Sequence, residues 1–171
     1  MIFTFRITSK ESENFLIKMK IDGKHSFFDL HTFIQMNCDF EPCQIASFFM
    51  TDDEGLKTAE ISMMDAGFDG GAYLLMQNAK LTDLIKEKGQ KLYYTFDLSE
   101  DRSLLIELID IDMGTKLKEP LVTAMEGDAP VQVLSGNSNN SIAKKFQEEE
   151  VFMDFGILDD YNELFGEMED F

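Results

Sequence analysis

The sequence predicts an α+β fold, with an antiparallel or mixed sheet, two helices and an acidic C-terminal segment. Three observations lead to this prediction: period-two hydrophobic alternation recurs in several short stretches, helical spacing recurs in two others, and the connections between them are short. The chain has 171 residues, of which 44% are hydrophobic. This length and composition fit one domain of ordinary size with a core of its own, followed by a tail.

Two alternating stretches at the start of the chain predict a hairpin with a long loop. "IFTFRI" and "FLIKMKI" place apolar side chains at every second position, as strands with one buried face do, and the polar "TSKESEN" connects them. A helix is predicted next, over roughly 27–37. Ser26 can cap it and Asp29 lies at the third position, where a carboxylate favours the helix N-terminus. Its apolar stripe contains Phe27, Leu30, Phe33, Ile34 and Met36.

The rest of the folded part alternates between short strands, one helix and loops. Strands are predicted at "IASFFM", "TAEISMM", "KLYYTFDL" and "SLLIELIDI", the last two forming a hairpin near 91–111 around a β-turn at Asp97–Arg102. "AKLTDLIKEKG" predicts a second helix that ends at Gly89. The Gly-rich "DAGFDGGAYLL" is predicted as a flexible excursion, and "GTKLKEPLVTAMEGDAPVQ" as mostly loop. The opening strand, strand, helix, strand order is β-grasp-like.

Charge divides the chain into a domain and a tail. The net charge is −18, from 33 acidic and 15 basic residues, and residues 147–171 contain ten acidic residues and no basic one. Residues 1–146 therefore have 23 acidic and 15 basic residues, a net charge of −8. Together with the "SGNSNNS" stretch, this shift predicts a domain over 1–135, a linker over 136–146 and an acidic aromatic tail over 147–171.

The tail also has apolar residues at helical spacing. From Val151 onward they recur in steps of three and four, at Phe155, Leu158, Tyr161, Phe165 and Met168. Two glycines weaken an isolated helix by about 1 kcal/mol each, so we expect the tail to fold only by laying its apolar stripe in a groove, on the protein's own core or on a partner. Its charge favours a basic protein partner. A tail that only increases solubility is the alternative.

The strongly negative charge makes direct nucleic-acid binding and binding to anionic membrane surfaces unfavourable. The sequence shows no secretory leader and no apolar run of the roughly 18 residues needed to cross a bilayer. Cys38 and Cys43 do not make a disulfide framework, and free buried cysteines are expected. We therefore expect a cytoplasmic protein.

No complete catalytic or metal-binding pattern is present. His25 and His31 lack an identifiable partner, and only two cysteines and two histidines are available for zinc. No cofactor is predicted. An acidic turn cluster, made of Asp97, Glu100, Asp101 and Glu107, leaves open an enzyme or a metal-binding protein.

Several stretches are similar to those of a known family. "SFFDLHTFIQ", which contains His31, resembles the helix of the Orf-three-like plasmid protein family, also labelled the transposon passenger TnpR family. Tyr94, Phe96 and Asp97 stand where that family keeps the start of its Tyr-x-Tyr-Asp-Phe-Gly-Asp motif, and "LLIELIDI" and "EGDAP" correspond to later segments. Ser99 replaces the family's glycine and Arg102 its tryptophan. The match covers roughly residues 1–135.

The resemblance implies an α+β fold and no defined activity, because members are known mainly from plasmids and mobile elements. The TnpR label suggests a resolvase, but the chain has no serine-recombinase pattern, so that activity is not expected. Three hypotheses remain: a non-enzymatic protein-interaction module, an enzyme or metal-binding protein using the acidic turn cluster, and an acidic nucleic-acid mimic that regulates a basic DNA-handling protein.

Overall fold

The computed structural model describes residues 1–65 and 74–134 and confirms the α+β class. The elements in chain order are β1 (Ile2–Ser9), β2 (Leu16–Asp22), α1 (Phe27–Cys38), β3 (Ser47–Thr51), β4 (Lys57–Ser62), β5 (Leu74–Leu75), α2 (Leu81–Leu84), β6 (Lys91–Asp97), β7 (Arg102–Asp112) and β8 (Leu121–Glu126). The chain divides into two units after Gln132, and the fold described here belongs to the first. The predicted boundaries of domain, linker and tail stay a prediction.

The strands form one mixed sheet in the order β5-β4-β3-β6-β7-β1-β2-β8. Every neighbouring pair is antiparallel except β4 with β5. Both predicted hairpins are present, β1 with β2 and β6 with β7. The N-terminal hairpin lies inside the sheet, because β1 pairs with β7 on one side and β2 pairs with β8 on the other.

Alternation along the strands determines which face is buried. On β1, Phe3, Phe5 and Ile7 are buried, whereas Arg6 is exposed. The same period of two buries alternate side chains of β2 and β7, and in β6 it buries Leu92, Tyr94 and Phe96 with Thr95 buried on the opposite face, so one face of the sheet carries most of the core.

Helix α1 contributes its own apolar stripe to this core. The predicted cap is confirmed: the Ser26 hydroxyl accepts from the Asp29 amide, and the Asp29 carboxylate accepts from the Ser26 amide. Phe27, Leu30 and Ile34 are fully buried, and the Phe27 ring meets Phe48 of β3 edge-on at 5.3 Å. Met36 was predicted to belong to the stripe and this is wrong, because it is 76% exposed. It lies two positions after Ile34, which places it on the other side of the helix.

Two stretches predicted without regular structure contain strands. β8 lies inside the predicted loop over 114–132, between prolines that flank the strand rather than interrupt it, and it pairs with β2 at the sheet edge. β5 uses the last two residues of the Gly-rich stretch, which was predicted as a flexible excursion. Residues 66–73 of that stretch lie outside the described residues.

The cysteine prediction is confirmed for one residue. Cys38 is free and buried, whereas Cys43 is free and exposed because it lies in the loop after α1. In the described residues no helix is long and apolar enough to cross a membrane.

Candidate functional site

His31 and Tyr94 form a buried polar pair between α1 and the sheet. His31 lies on the core-facing side of α1 and is only 2% exposed, and Tyr94 lies on the core-facing side of β6 and is fully buried. The Tyr94 hydroxyl and His31 Nδ1 are 2.9 Å apart and share a hydrogen bond. Phe48 packs against the Tyr94 ring at 5.0 Å. The two family-motif residues therefore join the helix to the sheet.

Burial keeps the titratable groups around this pair uncharged. It lowers the pKa of His31 to about 4 and raises the pKa of the Cys38 thiol to about 12. The pKa of Tyr94 is also raised, mainly by burial and then by the nearby Cys38. At neutral pH the imidazole, the thiol and the phenol are thus all neutral. A group with these properties supports packing, whereas a catalytic base or nucleophile needs a pKa nearer to neutrality.

Asp97 organises the turn between β6 and β7, as the sequence predicted for a β-turn. Its Oδ1 accepts hydrogen bonds from the amides of Ser99 at 3.1 Å and Glu100 at 3.2 Å. Asp101, the last turn residue, has a φ of 51°, which lies in the left-handed region that Asp tolerates. Asp97 also faces Arg102, with Oδ2 lying 3.5 Å from a guanidinium nitrogen.

Arg102 is the centre of a second buried polar cluster. Its side chain is 7% exposed and makes a bidentate contact with Glu11, Nε to Oε1 at 2.9 Å and Nη2 to Oε2 at 2.7 Å. The guanidinium also donates to the carbonyls of Val131 and Gln132. Four hydrogen bonds and the Asp97 ion pair match the five N–H donors of an arginine.

The cluster stabilises the charged form of Arg102. Its pKa is raised above the ordinary arginine value, first by the hydrogen bonds to Glu11, which outweigh the opposing effect of burial, and further by attraction to Glu11 and by the hydrogen bond and charge of Asp97. The guanidinium carbon lies 4.9 Å from the centre of the Phe96 ring, which adds a cation–π contact. Phe96 and Asp97, both family-motif residues, therefore meet at Arg102.

Two other members of the acidic turn cluster, Asp101 and Glu107, pair with different cations. Asp101 pairs with Lys57, while Glu107 pairs with Arg6 at 2.5 Å on an exposed part of the sheet. In residues 1–65 and 74–134, no group of three or more His, Cys, Asp or Glu side chains is placed to hold a metal ion. Asp97, Asp101 and Glu107 thus each pair with a different cation. The tail residues Phe155, Leu158, Tyr161, Phe165 and Met168 lie outside the described residues.

Sequence reasoning identified His31, Tyr94, Phe96 and Asp97 but missed Arg102 and Glu11 as a pair. One signal was available for Arg102. It has the same strand parity as Leu104, Ile106 and Leu108, all buried, so its side chain belongs on the core face. Its partner could not be found in this way, because Glu11 is 91 residues away in a loop.

A concavity of about 530 Å³ lies away from these clusters. Its lining includes three lysines and three acidic residues, so the formal charges cancel: Lys86, Lys88, Lys91, Asp52, Asp53 and Glu87. Asp52 caps its own turn through the amides of Glu54 and Leu56. These groups do not form a site with one preferred ligand charge.

The sequence matches the family of plasmid pRiA4b ORF-3-like proteins over residues 2–141. The chain belongs to this family. The match spans every element of the fold and both buried clusters of this ORF-3-like protein. No curated protein matches the sequence.

A solved structure has a similar fold. The crystal structure of a protein of unknown function from Methanosarcina mazei Go1 has a TM-score of 0.56 and 23% sequence identity to this ORF-3-like protein. The similarity covers 72% of this chain and 68% of that chain. It shows that the two proteins share a fold.

Proposed function

We propose that this ORF-3-like protein is a non-enzymatic protein-interaction module, in which a rigid α+β domain carries an acidic aromatic tail that recognises a basic protein. The observation that carries the proposal is that the polar family-motif residues make hydrogen bonds and ion pairs with other parts of the fold. His31 and Tyr94 bond to each other, and Asp97 bonds to its own turn and to Arg102. These polar groups hold elements together.

Electrostatics supports a basic partner. The net charge of −18 includes −10 within residues 147–171, so attraction to a basic surface increases the rate of encounter and depends on ionic strength. The apolar positions from Phe155 to Met168 recur at helical spacing, which suits a helix that lies in a groove of the partner. Charge would then steer the tail, and the apolar stripe would provide contact area.

The test compares the full chain with a 1–146 truncation as baits at low and physiological salt. We expect the full chain to retain basic proteins that the truncation loses, and to lose them as salt increases. Recovery of the same proteins by both baits, or of none by either, would refute recognition by the tail.

Two tail variants with unchanged charge separate the stripe from the acidic residues. Replacing Phe155, Leu158 and Phe165 with serine removes three stripe positions, and the matched control replaces Phe152, Met153 and Phe171, which lie off the stripe at helical spacing. We expect the first variant to lose the partner and the control to keep it. Equal retention by both variants would mean that charge alone acts.

The acidic charge also favours a second candidate, a nucleic-acid mimic that occupies the basic surface of a DNA-handling protein. This candidate predicts that duplex DNA competes with the full chain for the recovered partner, whereas the chain itself does not bind DNA. If duplex DNA does not compete, the chain does not occupy the partner's DNA-binding surface, and the nucleic-acid mimic is refuted.

A further inference from the structure

The chain between β8 and Gln132 is held against the end of the sheet, and we call residues 127–132 the strap. The strap begins at Gly127, whose φ of +66° is in the left-handed region. The Ser12 hydroxyl, in the loop between β1 and β2, donates to the Asp128 carbonyl at 2.8 Å. Pro130 is buried. The strap is thus attached to the β1–β2 loop before it reaches Arg102.

Arg102 holds the far end of the strap. Nη1 donates to the Gln132 carbonyl at 3.0 Å, and Nη2 donates to the Val131 carbonyl. The same guanidinium is fixed by Glu11 on its other edge. One buried cation therefore ties three segments that are distant in sequence: the β1–β2 loop, the β6–β7 turn and the strap.

Gln132 makes an independent attachment to the loop after α1. Its Nε2 donates to the Glu41 carbonyl at 3.1 Å, and its Oε1 accepts from the Glu41 amide at 2.6 Å. The side-chain amide therefore pairs with the main chain of Glu41 as a neighbouring strand would. The Glu41 amide proton becomes a reporter, because its hydrogen-bond partner is the strap.

We propose that Arg102 is a positioning residue that fixes Gln132, so that the chain leaves the first unit from one defined place. Gln132 is the last residue of that unit. Everything C-terminal to it, including the predicted recognition tail, then starts from a fixed point beside the β6–β7 turn. The purpose of this arrangement rests on the proposed function, whereas the arrangement itself is tested without a partner.

The test is hydrogen exchange of the Glu41 amide by NMR in the full-length protein. Arg102→Met preserves most of the side-chain length and removes all donors. We expect Glu41 exchange to become about tenfold faster, approaching the rate in Gln132→Ala, with exchange in β1 and β6 unchanged, because local opening leaves the core intact. Arg102→Lys, which retains the charge but not the bidentate fork, should give an intermediate rate.

The chain contains a matched control in its only other arginine. Arg6 also pairs with a glutamate, Glu107, but on an exposed part of the sheet. Arg6→Met should leave Glu41 exchange unchanged. A folded Arg102→Met protein with unchanged Glu41 exchange would overturn the proposal, and so would equal effects of the two arginine substitutions. If Arg102→Met does not fold, Arg102→Lys decides by the same readout.

The outcomes separate this inference from the proposed function. If the full chain and the 1–146 truncation recover the same proteins, recognition by the tail fails while the exchange result stands. If Glu41 exchange does not respond to the Arg102 substitutions, the positioning of Gln132 by Arg102 is refuted and recognition by the tail is unaffected.

Discussion

The buried histidine makes the stability of the fold depend on pH in a defined direction. His31 has a pKa of about 4 in the folded protein, against 6.5 for an ordinary histidine. The unfolded chain therefore binds a proton at this position over a pH range in which the folded protein does not. Stability attributable to His31 is complete above about pH 6.5 and is lost progressively as the pH falls from there towards 4.

The magnitude follows from linkage between protonation and folding. With these two pKa values, the free energy of unfolding should fall by about 2 kcal/mol between pH 7.5 and pH 5 through His31 alone. Measurements stop at pH 5 because the isoelectric point, about 4.3, promotes precipitation below that value.

Chemical denaturation followed by circular dichroism at the two pH values is the assay, since the chain contains no tryptophan. The many carboxylates also respond to pH, so the informative quantity is the difference between the wild type and His31→Gln. The wild type should lose about 2 kcal/mol more than the variant. His25→Gln is the matched control, because His25 is half-buried in a turn, where its ring Nδ1 lies 3.1 Å from the Asp22 carbonyl. Equal pH dependence of wild type and His31→Gln would refute the reasoning.

Three further substitutions have defined expectations. Gly127→Ala should cost about 2–5 kcal/mol in denaturant unfolding, because a Cβ there lies 2.4 Å from the Asn14 carbonyl oxygen and φ is positive; a loss below 1 kcal/mol would contradict this geometry. Asp97→Ala should lower the thermal midpoint, because it removes two hydrogen bonds from turn amides and a contact with Arg102. Asp97→Asn keeps an acceptor for the turn amides, so it should restore much of the lost thermal midpoint. Ile34→Ala should cost about 2–5 kcal/mol while Met36→Ala stays within about 0.5, and similar losses would contradict the helix orientation.

Local sequence patterns were sufficient to predict the strands and the helix whose buried residues recur at a regular spacing. The N-terminal hairpin, the cap at Ser26 and the β6–β7 hairpin all follow from spacing, because one face of each packs on the core. β8 was missed for the complementary reason. It is an edge strand with exposed residues at Leu121 and Met125, so its sequence shows little of the period that burial imposes.

The polar clusters could be predicted as residues but not as pairs. His31 and Tyr94 are 63 positions apart, and Glu11 and Arg102 are 91 apart. Residue type and parity indicate which side chains face the core, and they do not indicate which distant group each will meet. That information depends on the strand order, in which β1 lies next to β7, and no local pattern in the sequence specifies this neighbour.

The position of β1 between β2 and β7 has a consequence for synthesis. Arg6 pairs with Glu107 across 101 positions, so the sheet cannot close around β1 until β7 has been made. At about 5–20 residues per second, the ribosome needs roughly 5–20 s to bridge that gap. During this interval Phe3, Phe5 and Ile7 lack their strand neighbour, and the nascent hairpin is an apolar surface open to chaperones or to a second chain. Closure of so distant a contact also places this fold among the slower-folding small domains.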